Sequence, residues 1–185
     1  MATEETPLCS IAELEEIMKK GSIVIALPRN PINEVYSNVF VGGESSATDK
    51  QRLKSLGITH VLNCAHGRKF FHVDTDQSFY DDLKIKFQGL GVSDFPQSNI
   101  RKHFETAFKF IDEALHQENG KVLVHCVQGF SRSATIAIAY LMVRDKMTAQ
   151  DAARTVRANR EIGPNKGFLK QLCDLNEELQ RDKKE

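Results

Sequence analysis

One stretch, Val122-Leu-Val-His-Cys126-Val-Gln-Gly-Phe-Ser-Arg132-Ser133, restricts the possible folds more than any other part of the chain. Residues 121–124 carry the apolar, β-branched run of a parallel strand buried on both faces. Residues 134–143 are apolar almost all round, which predicts a helix buried in the middle of the domain. A buried strand feeding a buried helix through so short a loop belongs to a layered α/β fold, and such folds bind ligands where their strands end. Between Cys126 and Arg132 the backbone has to turn tightly, and Gly129 permits φ > 0 within that turn. Successive N–H groups then point inward as a nest for an anion, and the following helix adds the positive end of its dipole.

Around this unit strands and helices alternate. Ser10 and Glu13 have capping-box spacing, Ile11, Leu14, Ile17 and Met18 follow on one helical face, and Gly21 ends that helix. Residues 23–25 read as a short strand before the turn-rich 28–31, and residues 39–41 as another, closed by Gly42 and Gly43. Residues 47–56 predict one polar helix stopped at Gly57, and residues 58–64 and 85–92 two buried strands. Residues 100–116 place Phe104, Ala107, Phe108, Ile111 and Leu115 at amphipathic spacing. Thr148 and Asp151 open a further helix that Gly163-Pro164 breaks, and Phe168, Leu169, Leu172, Leu175 and Leu179 mark the last one. The expected class is α/β, a mainly parallel central sheet flanked by helices. In 185 residues this is one domain over residues 31–181. Residues 1–30 form a helix and connecting segment packed on it, and residues 182–185 a charged tail.

The 25 basic residues balance 25 acidic ones, which argues against a dedicated binder of nucleic acid or anionic membrane. No apolar run approaches the roughly 20 residues of a membrane span, and the polar first residues lack a secretory pattern. Cys9, Cys64, Cys126 and Cys173 are scattered, with no C-x-x-C pair, so neither a metal site nor another cofactor is expected. A reducing cytoplasmic or nuclear compartment is the expected location.

The motif also carries chemistry. At a helix N-terminus a thiol ionises well below its free value of about 8.5, and the thiolate is the nucleophilic form. Arg132 supplies a planar fork for two phosphate oxygens, and the Ser133 hydroxyl can donate to a departing thiolate. A phosphoryl group moved onto sulfur needs an acid for the leaving oxygen and a base for water. Asp94 directly follows the 85–92 strand, in a loop stiffened by Pro96, and is the candidate for both tasks. Asp74, Asp76, Asp81 and Asp82 precede that strand in a polar stretch where solvated loop charges are the simpler reading. Singly, a Cys after a strand is a small core residue, a lone Arg a surface charge and a Ser a helix cap. C-x5-R-S between a buried strand and a buried helix reverses those readings.

These residues resemble the protein tyrosine phosphatase superfamily, in its small atypical dual-specificity branch of vaccinia-phosphatase-related (VHR) type. The matching stretches are residues 56–63, 124–126, 131–133, 139–142 and, most distinctively, 159–165. The resemblance implies that Cys126 is a phosphocysteine nucleophile, Asp94 the general acid, Arg132 the phosphate clamp and Ser133 the thiolate-release residue. Val127, Gln128, Gly129, Phe130 and Ser131 would line the substrate's phosphate, and Arg160 would contact a second phosphate or acidic group. The implied substrates are phosphotyrosine and phosphothreonine or phosphoserine in proteins, including the activation loops of MAP kinases, with no metal involved. Val127 and Gln128 depart from the charged residues of relatives, and Ala134 replaces a proline. A neutral Gln128 is expected to lower the thiol pKa relative to an acidic residue, whereas the loss of a basic residue at Val127 pushes the other way. Cys64 matches a position where some members carry a cysteine that traps the oxidised nucleophile as a disulfide; otherwise it is a small buried hydrophobe. Competing readings are a phosphatase of phosphoinositides or RNA 5′-phosphates, a non-catalytic phosphoprotein-binding scaffold, and a sulfur-transfer enzyme. The neutral loop disfavours the first, and retention of Cys126, Arg132 and Asp94 disfavours the second. The third has no need of Asp94 or Ser133.

Overall fold

The computed structural model describes residues 8–182. Its first half contains α1 (Ile11–Lys19), β1 (Ile32–Tyr36), β2 (Val39–Gly42), α2 (Glu44–Ala47), α3 (Lys50–Leu56), β3 (His60–Asn63), α4 (Gln77–Tyr80) and β4 (Lys86–Gly89). Its second half contains α5 (Phe104–Leu115), β5 (Val122–His125), α6 (Arg132–Arg144), α7 (Ala149–Asn159) and α8 (Lys166–Asp182). The strands pair in the order β1-β2-β5-β3-β4, so β5, the strand expected to be buried on both faces, is central. All pairings are parallel except the β1–β2 hairpin at one edge.

Side chains alternate across this sheet and so build two cores. Val39, Val41, Leu62, Val122 and Val124 face the larger one, formed with α1, α5, α6, α7 and α8. Phe40, Val61 and Leu123 face a smaller one, closed by Ala47, Leu53, Ile58, Tyr80 and Ile85. Every residue of α6 from Arg132 to Met142 is buried, in line with its all-round apolar sequence. Leu14 and Met18 of α1 belong to the larger core, so the N-terminal helix packs on the rest of the domain. Cys9 and Cys173 form a disulfide between the segment before α1 and α8, so two of the four scattered cysteines meet in space.

Local signals held where a side chain caps a helix. Ser10 accepts the Glu13 N–H, and Thr148 accepts the Asp151 N–H. Four expectations need correction. Residues 23–25 are irregular, with Ile23 94% exposed, because they have no partner strand. The edge hairpin is made instead by Ile32–Tyr36, whose Asn33 and Glu34 hid its strand character. The single helix at 47–56 is two, because Asp49 accepts the Arg52 N–H and starts α3 afresh. The strand expected over 85–92 is the shorter β4, which lies at the sheet edge and is not buried. Helix α7 stops before Gly163-Pro164, since Arg160 is already extended (φ −151°, ψ 140°). Of the charged tail, Asp182 ends α8 and residues 183–185 lie outside the described residues.

Candidate active site

Strand β5 ends at His125, level with Gly42 of β2 and Asn63 of β3. The next residue, Cys126, therefore stands where three parallel strands finish. From there the chain wraps through Gly129, at φ +64°, into the first turn of α6. A Cβ at position 129 would run into the Gly42 carbonyl, so close approach as well as conformation requires glycine.

What holds the loop is a set of donors outside it. The Val127 carbonyl accepts the Glu44 N–H at 2.8 Å. Arg160 donates from Nη2 to the Gln128 carbonyl at 3.2 Å and from Nε to the Gly129 carbonyl at 2.8 Å. The Phe130 carbonyl accepts the Gly163 N–H at 3.0 Å. In a trans peptide the C=O and N–H point opposite ways. Anchoring four successive carbonyls outward turns the N–H groups of Gln128, Gly129, Phe130 and Ser131 into the concavity, as an anion nest requires.

Cys126 is 2% exposed, its Sγ 3.3 Å from Ser133 Oγ. Burial pushes its thiol up, but the Arg132 charge, the Ser133 hydroxyl and the N–H groups of Ser133 and Phe130 outweigh burial. The net displacement is downward, toward thiolate. Next to it, burial forces the His125 imidazole down to about 4, so it is neutral, with Nδ1 3.2 Å from the Cys126 carbonyl.

Arg132 opens α6 with its guanidinium buried. Nη1 donates to the carbonyls of Phe71 and Val92, both at 3.0 Å, which fixes the plane of the fork. Its Nε lies 3.5 Å from Asp94 Oδ2, an ion pair without hydrogen-bond geometry. Asp94 is thus brought to the loop as expected. Its Oδ1 accepts Ser131 Oγ at 2.8 Å and Asn165 Nδ2 at 2.9 Å. The rival carboxylates are engaged elsewhere: Asp74 with Arg68, Asp76 as the cap of α4, Asp81 with Gln77 and Asp82 with Lys50.

These groups line a cleft of about 310 Å³, with Cys126, Val127, Gln128, Phe130, Ser131 and Arg132 as its floor and Asp94 at its wall. Phe70, Phe71 and Phe95 form an exposed rim that sequence reading missed, although two adjacent phenylalanines in a polar stretch are a signal. Arg160 is more enclosed than its sequence position suggests. It is 2% exposed, and Nη1 reaches Asn30 O at 2.9 Å and Asn33 Oδ1 at 2.7 Å, so together with its loop contacts the guanidinium is held inside the fold. It braces the loop from behind, and it also lines a second cleft with Arg29, Gly43, Val127 and Gln128. Cys64, one residue past β3, is fully buried and a free thiol, and its N–H donates to the His125 carbonyl at 2.8 Å. Burial, and then the charge on Cys126, push the Cys64 thiol well above the ordinary range.

A buried thiolate in a ring of inward N–H groups, with a guanidinium beside it and a carboxylate opposite, can accept a phosphoryl group and protonate what leaves. Comparison with known proteins identifies the family. Residues 39–178 match the family described as dual specificity phosphatase, catalytic domain. Human DUSP28 is similar over 84% of this chain and 99% of its own, at 26% identity and a TM-score of 0.70. The human tyrosine phosphatase-like serine/threonine/tyrosine-interacting protein is 31% identical over 83% of this chain and 98% of its own (TM-score 0.62). The Yvh1 phosphatase domain from Chaetomium thermophilum is 29% identical over 77% of this chain and 94% of its own (TM-score 0.63).

Proposed function

Because this chain belongs to the dual-specificity phosphatase family and is a cysteine-based protein phosphatase, we propose that it hydrolyses phosphotyrosine and phosphothreonine or phosphoserine in proteins through a phosphocysteine intermediate. The observation that carries this reading is the loop itself: four carbonyls are tethered outward, and the Cys126 sulfur receives the N–H groups of Phe130 and Ser133.

In the first step the Cys126 thiolate attacks phosphorus. The S–P bond forms as the bond from phosphorus to the substrate oxygen breaks, and the Asp94 carboxyl gives that oxygen its proton. Arg132 and the inward N–H groups meet the charge on the equatorial oxygens. In the second step water attacks the phosphocysteine, Asp94 takes the proton, and the sulfur leaves as thiolate, stabilised by the Ser133 hydroxyl and Arg132. No step needs a metal.

The phenylalanine rim suits the ring of a phosphotyrosine, and the neutral Val127 and Gln128 suit one phosphoryl group better than a polyanionic head group. MAP kinase activation loops in the cytoplasm or nucleus are the substrates that the VHR-type resemblance supports. Cys64 acts as a redox guard: peroxide oxidises the Cys126 thiolate to a sulfenic acid, and the Cys64 thiol condenses with it, releasing water and forming a disulfide. Mass spectrometry after mild peroxide tests this, and the guard is excluded if no Cys64–Cys126 linkage forms.

The main test is turnover of phosphotyrosine, phosphothreonine and doubly phosphorylated activation-loop peptides beside phosphoinositides and an RNA 5′-phosphate, with Cys126→Ser as the blank. Phosphopeptides should be hydrolysed fastest and the blank should be inert. Equal activity in the blank would overturn the mechanism, and binding without turnover would favour a scaffold.

A further inference from the structure

We infer that Asn165 is a positioning residue for the general acid, holding the Asp94 carboxylate over the cleft by a bond that the N-cap of α8 forces it to make. This rests on Asp94 being the acid and goes beyond it, because Asn165 does not touch the sulfur and meets the nest residue Ser131 only at its hydroxyl.

An asparagine side chain has one acceptor end and one donor end, and either can face a given partner unless something fixes the amide. Here something does. Asn165 Oδ1 accepts the Phe168 N–H at 3.0 Å, one of the otherwise unpaired donors in the first turn of α8. With the oxygen committed to the helix, Nδ2 must point the other way, and it donates to Asp94 Oδ1 at 2.9 Å. The backbone of the same residue donates to Ser131 Oγ at 3.2 Å, whose hydroxyl in turn donates to the same Asp94 oxygen at 2.8 Å. Asp94 Oδ1 is therefore held from two sides, and Oδ2 is left turned toward Arg132.

The loop that carries Asp94 leans on the same helix. A Cβ at Gly167 would run into the Pro96 carbonyl, so glycine is needed there for contact. Gln171 donates to the Ser98 carbonyl at 2.9 Å and accepts the Ile100 N–H at 3.0 Å. The start of α8 thus grips the acid loop along its length, and the Asn165 amide is the link that reaches the reacting group. A proton donor misplaced by about 1 Å can lose roughly 10²-fold of its effect, which gives such a link its importance.

Asn165→Asp separates the two ends of the side chain. Aspartate still caps α8, so thermal stability should stay close to wild type, but it offers no donor to Asp94 and sets a second carboxylate against it. The assay is kcat/KM for a series of aryl phosphates, which runs only as far as formation of the phosphocysteine and so reports departure of the leaving group. Asn165→Asp should lower kcat/KM about tenfold or more for the most basic phenols, part of the roughly 10²–10⁴-fold a general acid supplies. The loss should be far smaller for the most acidic phenols, giving a steeper dependence on leaving-group pKa. Alkylation of Cys126 at fixed pH should match wild type, as expected if the loop is intact. Asn165→Ala should show the same steepening together with a lower melting temperature.

Asp94→Asn is measured alongside. A steeper dependence in Asp94→Asn with a wild-type slope in Asn165→Asp would overturn the positioning role alone. A wild-type slope in Asp94→Asn would remove Asp94 as the acid, and this inference with it.

Discussion

Strands β3 and β5 end level with one another, and each hands over to a buried cysteine, Cys64 after Asn63 and Cys126 after His125. Both cysteines stand at the same level of the sheet and both are buried. Yet the Cys64 thiol is pushed well above the ordinary range and that of Cys126 below it. The difference lies in the chain immediately beyond each cysteine. After Cys126 come a braced loop, Arg132 and the N-terminus of a buried helix, while after Cys64 come an isolated bridge at Ala65 and an irregular segment. A strand end supplies a location; inward N–H groups and a fixed cation make the thiol reactive.

The widest separation between the two is expected in turnover. Cys126→Ser should fall to background in a phosphatase assay, whereas Cys64→Ser should keep most of its rate, and comparable losses in both would break the contrast. Next comes the brace that only the second loop has. Arg160→Ala leaves the carbonyls of Gln128 and Gly129 unsatisfied and should cost about 2–4 kcal/mol in urea unfolding. A neutral result would mean that the outward carbonyls do not depend on it.

A smaller effect is expected at the sulfur. The Cys126 pKa is lowered partly by the Ser133 hydroxyl, so Ser133→Ala should raise it and move the acid limb of iodoacetamide alkylation to higher pH. About one pH unit is expected, the equivalent of one charge-assisted hydrogen bond. Cys64 should stay unalkylated throughout that range. Last is Gln128→Glu, a charge placed at an exposed position near the thiolate. It should raise the Cys126 pKa by only about a few tenths of a unit because solvent screens it, and a fall would reverse the role given to the neutral side chain.

Much of the Cys126 side of this contrast is legible in the sequence. A β-branched strand, a turn glycine and an all-apolar helix are local signals, and Cys126, Arg132 and Ser133 are fixed by their spacing along it. Asp94 is legible from its place after a strand, although that strand is shorter and more exposed than its apolar residues suggested. What was hidden depends on partners supplied by the fold. Arg160 looks like a surface charge at a helix end, and only the tertiary structure brings the carbonyls of Gln128 and Gly129 to it. Asn165 looks like turn chemistry after Gly163-Pro164, and nothing local reveals that one end of its amide faces an acid 71 residues away. Cys9 and Cys173 are separated by 164 residues, a distance over which spacing carries no pairing information.

The outward tethering of the loop carbonyls has a consequence for how the enzyme meets its own product. A concavity whose dipoles are fixed before a ligand arrives distinguishes tetrahedral oxyanions poorly, since each presents the same array of oxygens to the same N–H groups. Free orthophosphate fits it much as a substrate's phosphoryl group does. The geometry that lets this loop stabilise charge without rearranging also leaves it open to competition from the ion it releases. Discrimination then falls to the parts of the substrate that reach the phenylalanine rim.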